Sequence, residues 1–148
     1  LYDTAYATEL EPVQGVVALL DELAALGIAT CVASNGSHDK MRRTLGVTGL
    51  HERFAGRIFS AQDVPRGKPA PDLYLHAART MNVPPGECVV VEDSPPGVAA
   101  ARAAAMRCIG YAAFTPADRL AGPGVVTCPT MAQVRDVLVG ELQADQHW

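Results

Sequence analysis

Val16, Leu19, Leu20, Leu23 and Leu26 recur at helical spacing, and Gly27 stands where a helix-ending glycine belongs. The next apolar run, Ile28-Ala29-Thr30-Cys31-Val32-Ala33, is short, carries β-branched residues and stops at the turn signal Ser34-Asn35-Gly36, which predicts a buried strand. A polar helix follows from about His38 to Leu45, then a short strand at Arg57-Ile58-Phe59-Ser60. The next helix runs from about Pro71 to Met81, with Leu75, Ala78 and Met81 on one side. Glu87 to Val91 reads as a strand, Gly97 to Ala105 as a helix, and Cys108-Ile109-Gly110-Tyr111 as another strand. Val125-Val126-Thr127 and an amphipathic helix carrying Met131, Val134, Val137, Leu138 and Leu142 close the pattern.

Short strands alternating with helices of about ten residues predict an α/β fold: a Rossmann-like three-layer sandwich with a mostly parallel sheet and right-handed crossovers. Residues 12–142 form this predicted core. Residues 1–11 stand apart, because the segment is polar and aromatic, precedes Pro12 and belongs to no crossover unit. Residues 143–148 read as a frayed tail.

The composition agrees with a globular domain: 148 residues, 49% hydrophobic and 19% charged, enough for a buried core. A formal net charge of −4 and the lack of a basic cluster argue against a nucleic-acid partner and point to a small ligand. No stretch approaches the roughly 18 consecutive apolar residues of a membrane span, and the N-terminus lacks a basic and an apolar signal-peptide region. A cytoplasmic enzyme is the expectation. Cys31, Cys88, Cys108 and Cys128 form no C-x-x-C pair and read as buried free thiols, while His38, His51, His76 and His147 make no metal-spaced set. Leu1 is not an initiator methionine, which is compatible with a chain that begins partway into a gene product.

In an open parallel sheet, ligands bind outside the carboxyl ends of the strands, so the polar residues just after each strand are the candidates. Ser34, with the amides of Asn35 and Gly36 at a turn entering a helix, suits a phosphate oxygen, and equally suits a helix N-cap. Lys68 lies in Gly67-Lys68-Pro69-Ala70-Pro71-Asp72, where two prolines restrict the backbone and aim one compact positive charge. Glu92 and Asp93 end the apolar run Val89-Val90-Val91. Adjacent carboxylates repel unless a cation or donors hold them, and oxygen ligands of this kind suit Mg²⁺. A surface turn with Asp93 or Ser94 capping the next helix is the structural alternative.

These segments resemble the haloacid dehalogenase superfamily of hydrolases, in the branch of phosphoglycolate-phosphatase-like and β-phosphoglucomutase-like enzymes. Cys31-Val32-Ala33-Ser34-Asn35 is similar to the second family motif and Gly67 to Asp72 to the third. Val90-Val91-Glu92-Asp93-Ser94-Pro95-Pro96-Gly97-Val98 is similar to the fourth. The resemblance implies that Ser34 binds the transferring phosphoryl group, Lys68 neutralises it and orients the nucleophile, and Glu92 and Asp93 hold Mg²⁺. Asn35 is a further phosphate or cap contact, and Asp72 fixes the Lys68 loop or caps its helix. The implied activity is a Mg²⁺-dependent phosphatase of a small phosphorylated metabolite, such as a sugar phosphate, acting through an aspartyl-phosphate. A phosphomutase of the β-phosphoglucomutase type and a non-catalytic metal- and phosphate-binding module are the alternatives.

Two departures stand out. Ala105 precedes Met106 where the family usually has glycine, which reads as a packing difference. The first family motif, Asp-x-Asp-x-Thr at the end of an N-terminal strand, has no counterpart, since no two aspartates here are spaced by one residue. The resemblance therefore implies a core lacking its N-terminal central strand, with residues 1–11 as the end of a helical cap and a linker. The nucleophile would come from a missing N-terminal segment or from another chain, and this chain alone would be inactive.

Overall fold

The computed structural model describes residues 3–6 and 15–143. The strands are β1 (Asp3–Tyr6), β2 (Thr30–Ser34), β3 (Ile58–Ser60), β4 (Cys88–Glu92), β5 (Arg107–Tyr111) and β6 (Val125–Cys128). The helices are α1 (Val16–Ala25), α2 (His38–Gly46), α3 (Leu50–Arg53), α4 (Asp72–Met81), α5 (Pro95–Ala103), α6 (Ala117–Leu120) and α7 (Met131–Gln143). The strands form one parallel sheet in the order β3-β2-β1-β4-β5-β6, the doubly wound arrangement that the alternation of elements predicts.

One expectation differs at the centre of that sheet. Asp3–Tyr6, assigned from sequence to a cap remnant, pairs with both β2 and β4: Thr4 is level with Thr30 and Val89, and Tyr6 with Val32 and Val91. The sheet therefore has a central strand, although one without an Asp-x-Asp pair. The physical reason is non-local. β2 and β4 are buried along their whole length, and their facing N–H and C=O groups must be paired when water is excluded. A four-residue segment carries too little apolar pattern to announce that role. The rest of the expected cap remnant and linker, residues 1–2 and 7–11, and the tail from residue 144 onward lie outside the described residues.

Side chains alternate between the two faces of the sheet. Val32, Val89, Val91 and Ile109 join Leu19 and Leu23 of α1 with Val134 and Leu138 of α7 in one core cluster. Cys31, Ala33, Val90 and Cys108 join Tyr74 and Ala77 of α4 with Ala100 and Ala101 of α5 in the other. The buried residues of α4 are Leu73, Tyr74, Ala77 and Ala78, so its inward face is rotated from the predicted Leu75, Ala78 and Met81 stripe; Leu75 and Met81 pack at its margin. All four cysteines are buried and none forms a disulfide.

Helix ends follow local chemistry. Ser37 caps α2 by accepting from the Lys40 amide, and Ser94 caps α5 by accepting from the Gly97 amide. α5 starts two residues before the predicted Gly97, since Pro95 fits a first helical turn. It ends at Ala103, and Ala105 adopts a left-handed φ of 59°. That conformation explains the glycine usual at this position in the family: Ala105 is exposed, so the difference is conformational and not one of packing.

Candidate active site

The carboxyl ends of β2, β3 and β4 converge with the loop before α4. Ser34 is buried at the end of β2, and its Oγ accepts from the Gly36 amide at 2.9 Å. Ser60, at the end of β3, donates to the Gly36 carbonyl at 2.6 Å and ties the same turn from the other side. The Ser34 hydroxyl keeps a proton to donate, beside the first amides of the turn leading into α2.

The Lys68 loop is fastened to this turn. Asn35 Nδ2 donates to the Lys68 carbonyl at 3.1 Å, and the Lys68 amide donates to Asn35 Oδ1 at 2.9 Å. Both polar ends of the Asn35 side chain are thus engaged by the loop, leaving its backbone as the part that can face an anion. A Cβ on Gly67 would come within 2.5 Å of Asn35 Oδ1, so glycine permits this close approach. The Lys68–Pro69 peptide is cis. Asp72, in the first turn of α4, accepts from Arg66 at 3.3 Å and so braces the same loop.

Lys68 Nζ donates to the Ala33 carbonyl at 2.9 Å and pairs with Glu92 Oε2 at 2.9 Å, with side chains only 7% and 3% exposed. Tyr74 Oη donates to the same Oε2 at 2.7 Å, while Glu92 Oε1 accepts from the Asp93 amide at 3.0 Å and from Ser94 Oγ at 3.2 Å. Four donors thus occupy the roughly four lone-pair sites of one carboxylate. Burial, then the charge of Glu92, pushes the Tyr74 hydroxyl well above its ordinary value, so it stays protonated and able to donate to Glu92. Gly97 makes room for Glu92, since a Cβ there would lie 2.0 Å from Glu92 Cδ.

Asp93 occupies the other side of the strand end. Its carbonyl accepts from Thr115 Oγ1 at 2.8 Å, which ties it to the loop after β5. Burial first, then the adjacent Glu92 charge, pushes its carboxyl up to about 6. The donor chemistry fits part of a Mg²⁺ shell, because that ion commonly takes one or two carboxylates with water and phosphate oxygens. Among the described residues no cluster of three or more His, Cys, Asp or Glu is arranged to hold a metal by itself. A cavity of about 520 Å³ lies elsewhere, between α1 and α7 beside Tyr111, and includes none of Ser34, Lys68, Glu92 or Asp93.

Of the residues singled out from sequence, Lys68 and Glu92 touch directly. Asn35 links the Lys68 loop to the turn after Ser34, and Asp93 adjoins Glu92. Sequence reasoning missed Tyr74, Ser60 and Thr115. Tyr74 sits at core spacing on an amphipathic helix, which hides a polar role, whereas Ser60 and Thr115 follow strands and were open to the strand-end rule.

A family model described as haloacid dehalogenase-like hydrolase matches residues 1–105. The 6-phosphogluconate phosphatase of Escherichia coli (strain K12) is 33% identical over 132 residues, covering 89% of this chain and 58% of that protein. Hexitol phosphatase A of the same organism is 40% identical over 116 residues, covering 76% and 51%. The crystal structure of a conserved haloacid dehalogenase-like protein of unknown function from Agrobacterium tumefaciens str. C58 superimposes with a TM-score of 0.79 at 36% identity, covering 88% of this chain and 61% of that one. The chain spans a little over half the length of the two phosphatases. The family model covers well over half of the sequence and these relatives agree with it, and the chain belongs to the haloacid dehalogenase-like hydrolases.

Proposed function

We propose that this chain supplies the phosphate-binding and metal-binding part of a Mg²⁺-dependent phosphatase acting on a small sugar or polyol phosphate through an aspartyl-phosphate. The observation that carries this reading is the Lys68 ammonium, fixed between the Ala33 carbonyl and Glu92 at the strand ends beside Ser34. Ser34 and the turn amides bind phosphoryl oxygens, and Lys68 neutralises the charge that builds on them. Asp93 presents its carboxylate to the metal, and Glu92, already engaged by four donors, adds negative charge behind it. When bound, Mg²⁺ supplies charge neutralisation and orientation of the phosphate. The nucleophilic carboxylate comes from polypeptide other than the sequence given, which has no Asp-x-Asp pair. The named activities of the two Escherichia coli relatives support the substrate class. Buried cysteines outside any disulfide support a reducing, cytoplasmic setting, and no described helix is long and apolar enough to cross a membrane.

The test compares this chain with the product of its gene including whatever is encoded before Leu1, assayed for phosphate release from p-nitrophenyl phosphate and 6-phosphogluconate. The longer product should release phosphate only with Mg²⁺, and K68A or D93A should each cost at least about 100-fold, the scale of removing one preorganised charge at a reacting oxyanion. This chain alone should release none. No release by the longer product would favour the binding-module alternative, and full activity in K68A would sink the assigned roles.

A further inference from the structure

We propose that Tyr74 is a positioning residue of this site: its hydroxyl, by occupying Glu92 Oε2, sets where the Lys68 ammonium points. The proposal rests on reading Lys68 as the phosphate-facing cation.

Tyr74 is fully buried among Leu73, Ala77, Val90 and Cys31, where phenylalanine would pack equally well. A hydroxyl in such surroundings is costly unless it is bonded. Its bond at 2.7 Å goes to the one carboxylate oxygen that also holds Lys68. The ammonium has three N–H groups; one is directed to Ala33 O and one to Glu92 Oε2. Lys68 Nζ also lies 5.0 Å from the centre of the Tyr74 ring, so the ring closes one side. The third N–H is directed to neither of these oxygens and is the one left for an anion beside Ser34. Without the hydroxyl, Oε2 has a second acceptor site open to Lys68. The ammonium can then turn into Glu92, and its outward donor is lost.

The chain has only two lysines, Lys40 and Lys68, so a side-chain ammonium spectrum of ¹⁵N-lysine-labelled protein reads Lys68 directly, with Lys40 as the internal reference. In wild type the Lys68 ammonium protons, held by the Ala33 carbonyl and Glu92, should exchange slowly with water. Y74F should shift the Lys68 signal and slow its exchange by about tenfold, the equivalent of one charge-assisted hydrogen bond gained to Glu92, with the β2 and β4 backbone amides unchanged. An unchanged Lys68 shift and exchange rate in folded Y74F overturns the proposal. Should Y74F not fold, K68M supplies the reciprocal measurement. The Tyr74 hydroxyl proton must move when its neighbour on Oε2 is removed, and an unmoved resonance is equally fatal. Inorganic phosphate with MgCl₂ tests the underlying reading separately. It should shift the wild-type Lys68 signal, and failure to do so removes the phosphate role of Lys68 whatever Y74F shows.

Discussion

Glu92 and Asp93 are neighbours in sequence with opposite surroundings. Glu92 is buried and satisfied by four protein donors, whereas Asp93 is raised by burial and by the charge beside it. A buried pair such as Lys68–Glu92 is weak evidence for stability, since desolvation offsets its attraction, and its value here lies in fixing one ammonium. Ala105 shows a different single-residue cost. Its φ of 59° is disfavoured for an L side chain, and no fold contact requires the exposed methyl. A105G should therefore raise stability by about 0.5–1 kcal/mol, the left-handed penalty less the extra unfolded-state freedom of glycine. A higher urea midpoint with an unchanged slope would bear this out, and a lower one would refute it. Most of the candidate site was legible at this scale, because Ser34, Lys68, Glu92 and Asp93 are polar residues at the ends of apolar runs or in a proline-bound loop. Tyr74 was not legible, since a tyrosine at core spacing differs from phenylalanine only in a hydroxyl whose partner comes from another element.

At the scale of elements, the start of α2 is clamped by the turn that follows β3. Gln62 Oε1 accepts from the His38 amide at 2.8 Å, His38 Nε2 meets both Asp63 oxygens at 2.9 and 3.0 Å, and Asp63 Oδ2 accepts from the Ser60 amide at 2.9 Å. Burial alone would raise Asp63, but the Ser60 amide and His38 outweigh it and hold the carboxyl below its ordinary value of 3.8, with His76 adding a little. Ionised Asp63 is therefore favoured by folding. Its contribution is fully present above pH 3.8 and fades as pH falls through the lowered folded value. D63N should be less stable than wild type at pH 5, by less than about 1 kcal/mol for so exposed a group, with the gap closing toward pH 2. Urea midpoints of both proteins across that range check the sign, and a gap that widens in acid would contradict it. The order of strands and principal helices was readable from periodicity because each crossover unit carries its own apolar pattern. β1 was not, because what places Asp3–Tyr6 is the unpaired edges of β2 and β4, elements far away in the chain. The short α3 and α6 likewise have one turn each, too few residues for a period to show.

For the whole molecule, the site exists only while the sheet does. Ser34 ends β2, the Glu92–Asp93 pair follows from β4, and β1 lies between these strands. Lys68 joins the two sides by reaching the Ala33 carbonyl on β2 and Glu92 on β4. No local segment can assemble these donors, so a ligand that needs all of them binds the folded chain and not the unfolded one. Such binding must raise stability by mass action, by about 1.4 kcal/mol at ten times the dissociation constant. For a domain of this size that corresponds to a rise in melting temperature of about 3–6 °C. MgCl₂ with inorganic phosphate should produce such a rise in wild type, read by circular dichroism or scanning calorimetry at pH 7.5. D93N, which removes the charge a hard cation needs, should abolish it while leaving the unliganded melting temperature close to that of wild type. An equal rise in D93N would place the cation away from the β4 strand end, and no rise in wild type would mean that the described part of the site does not bind metal and phosphate on its own.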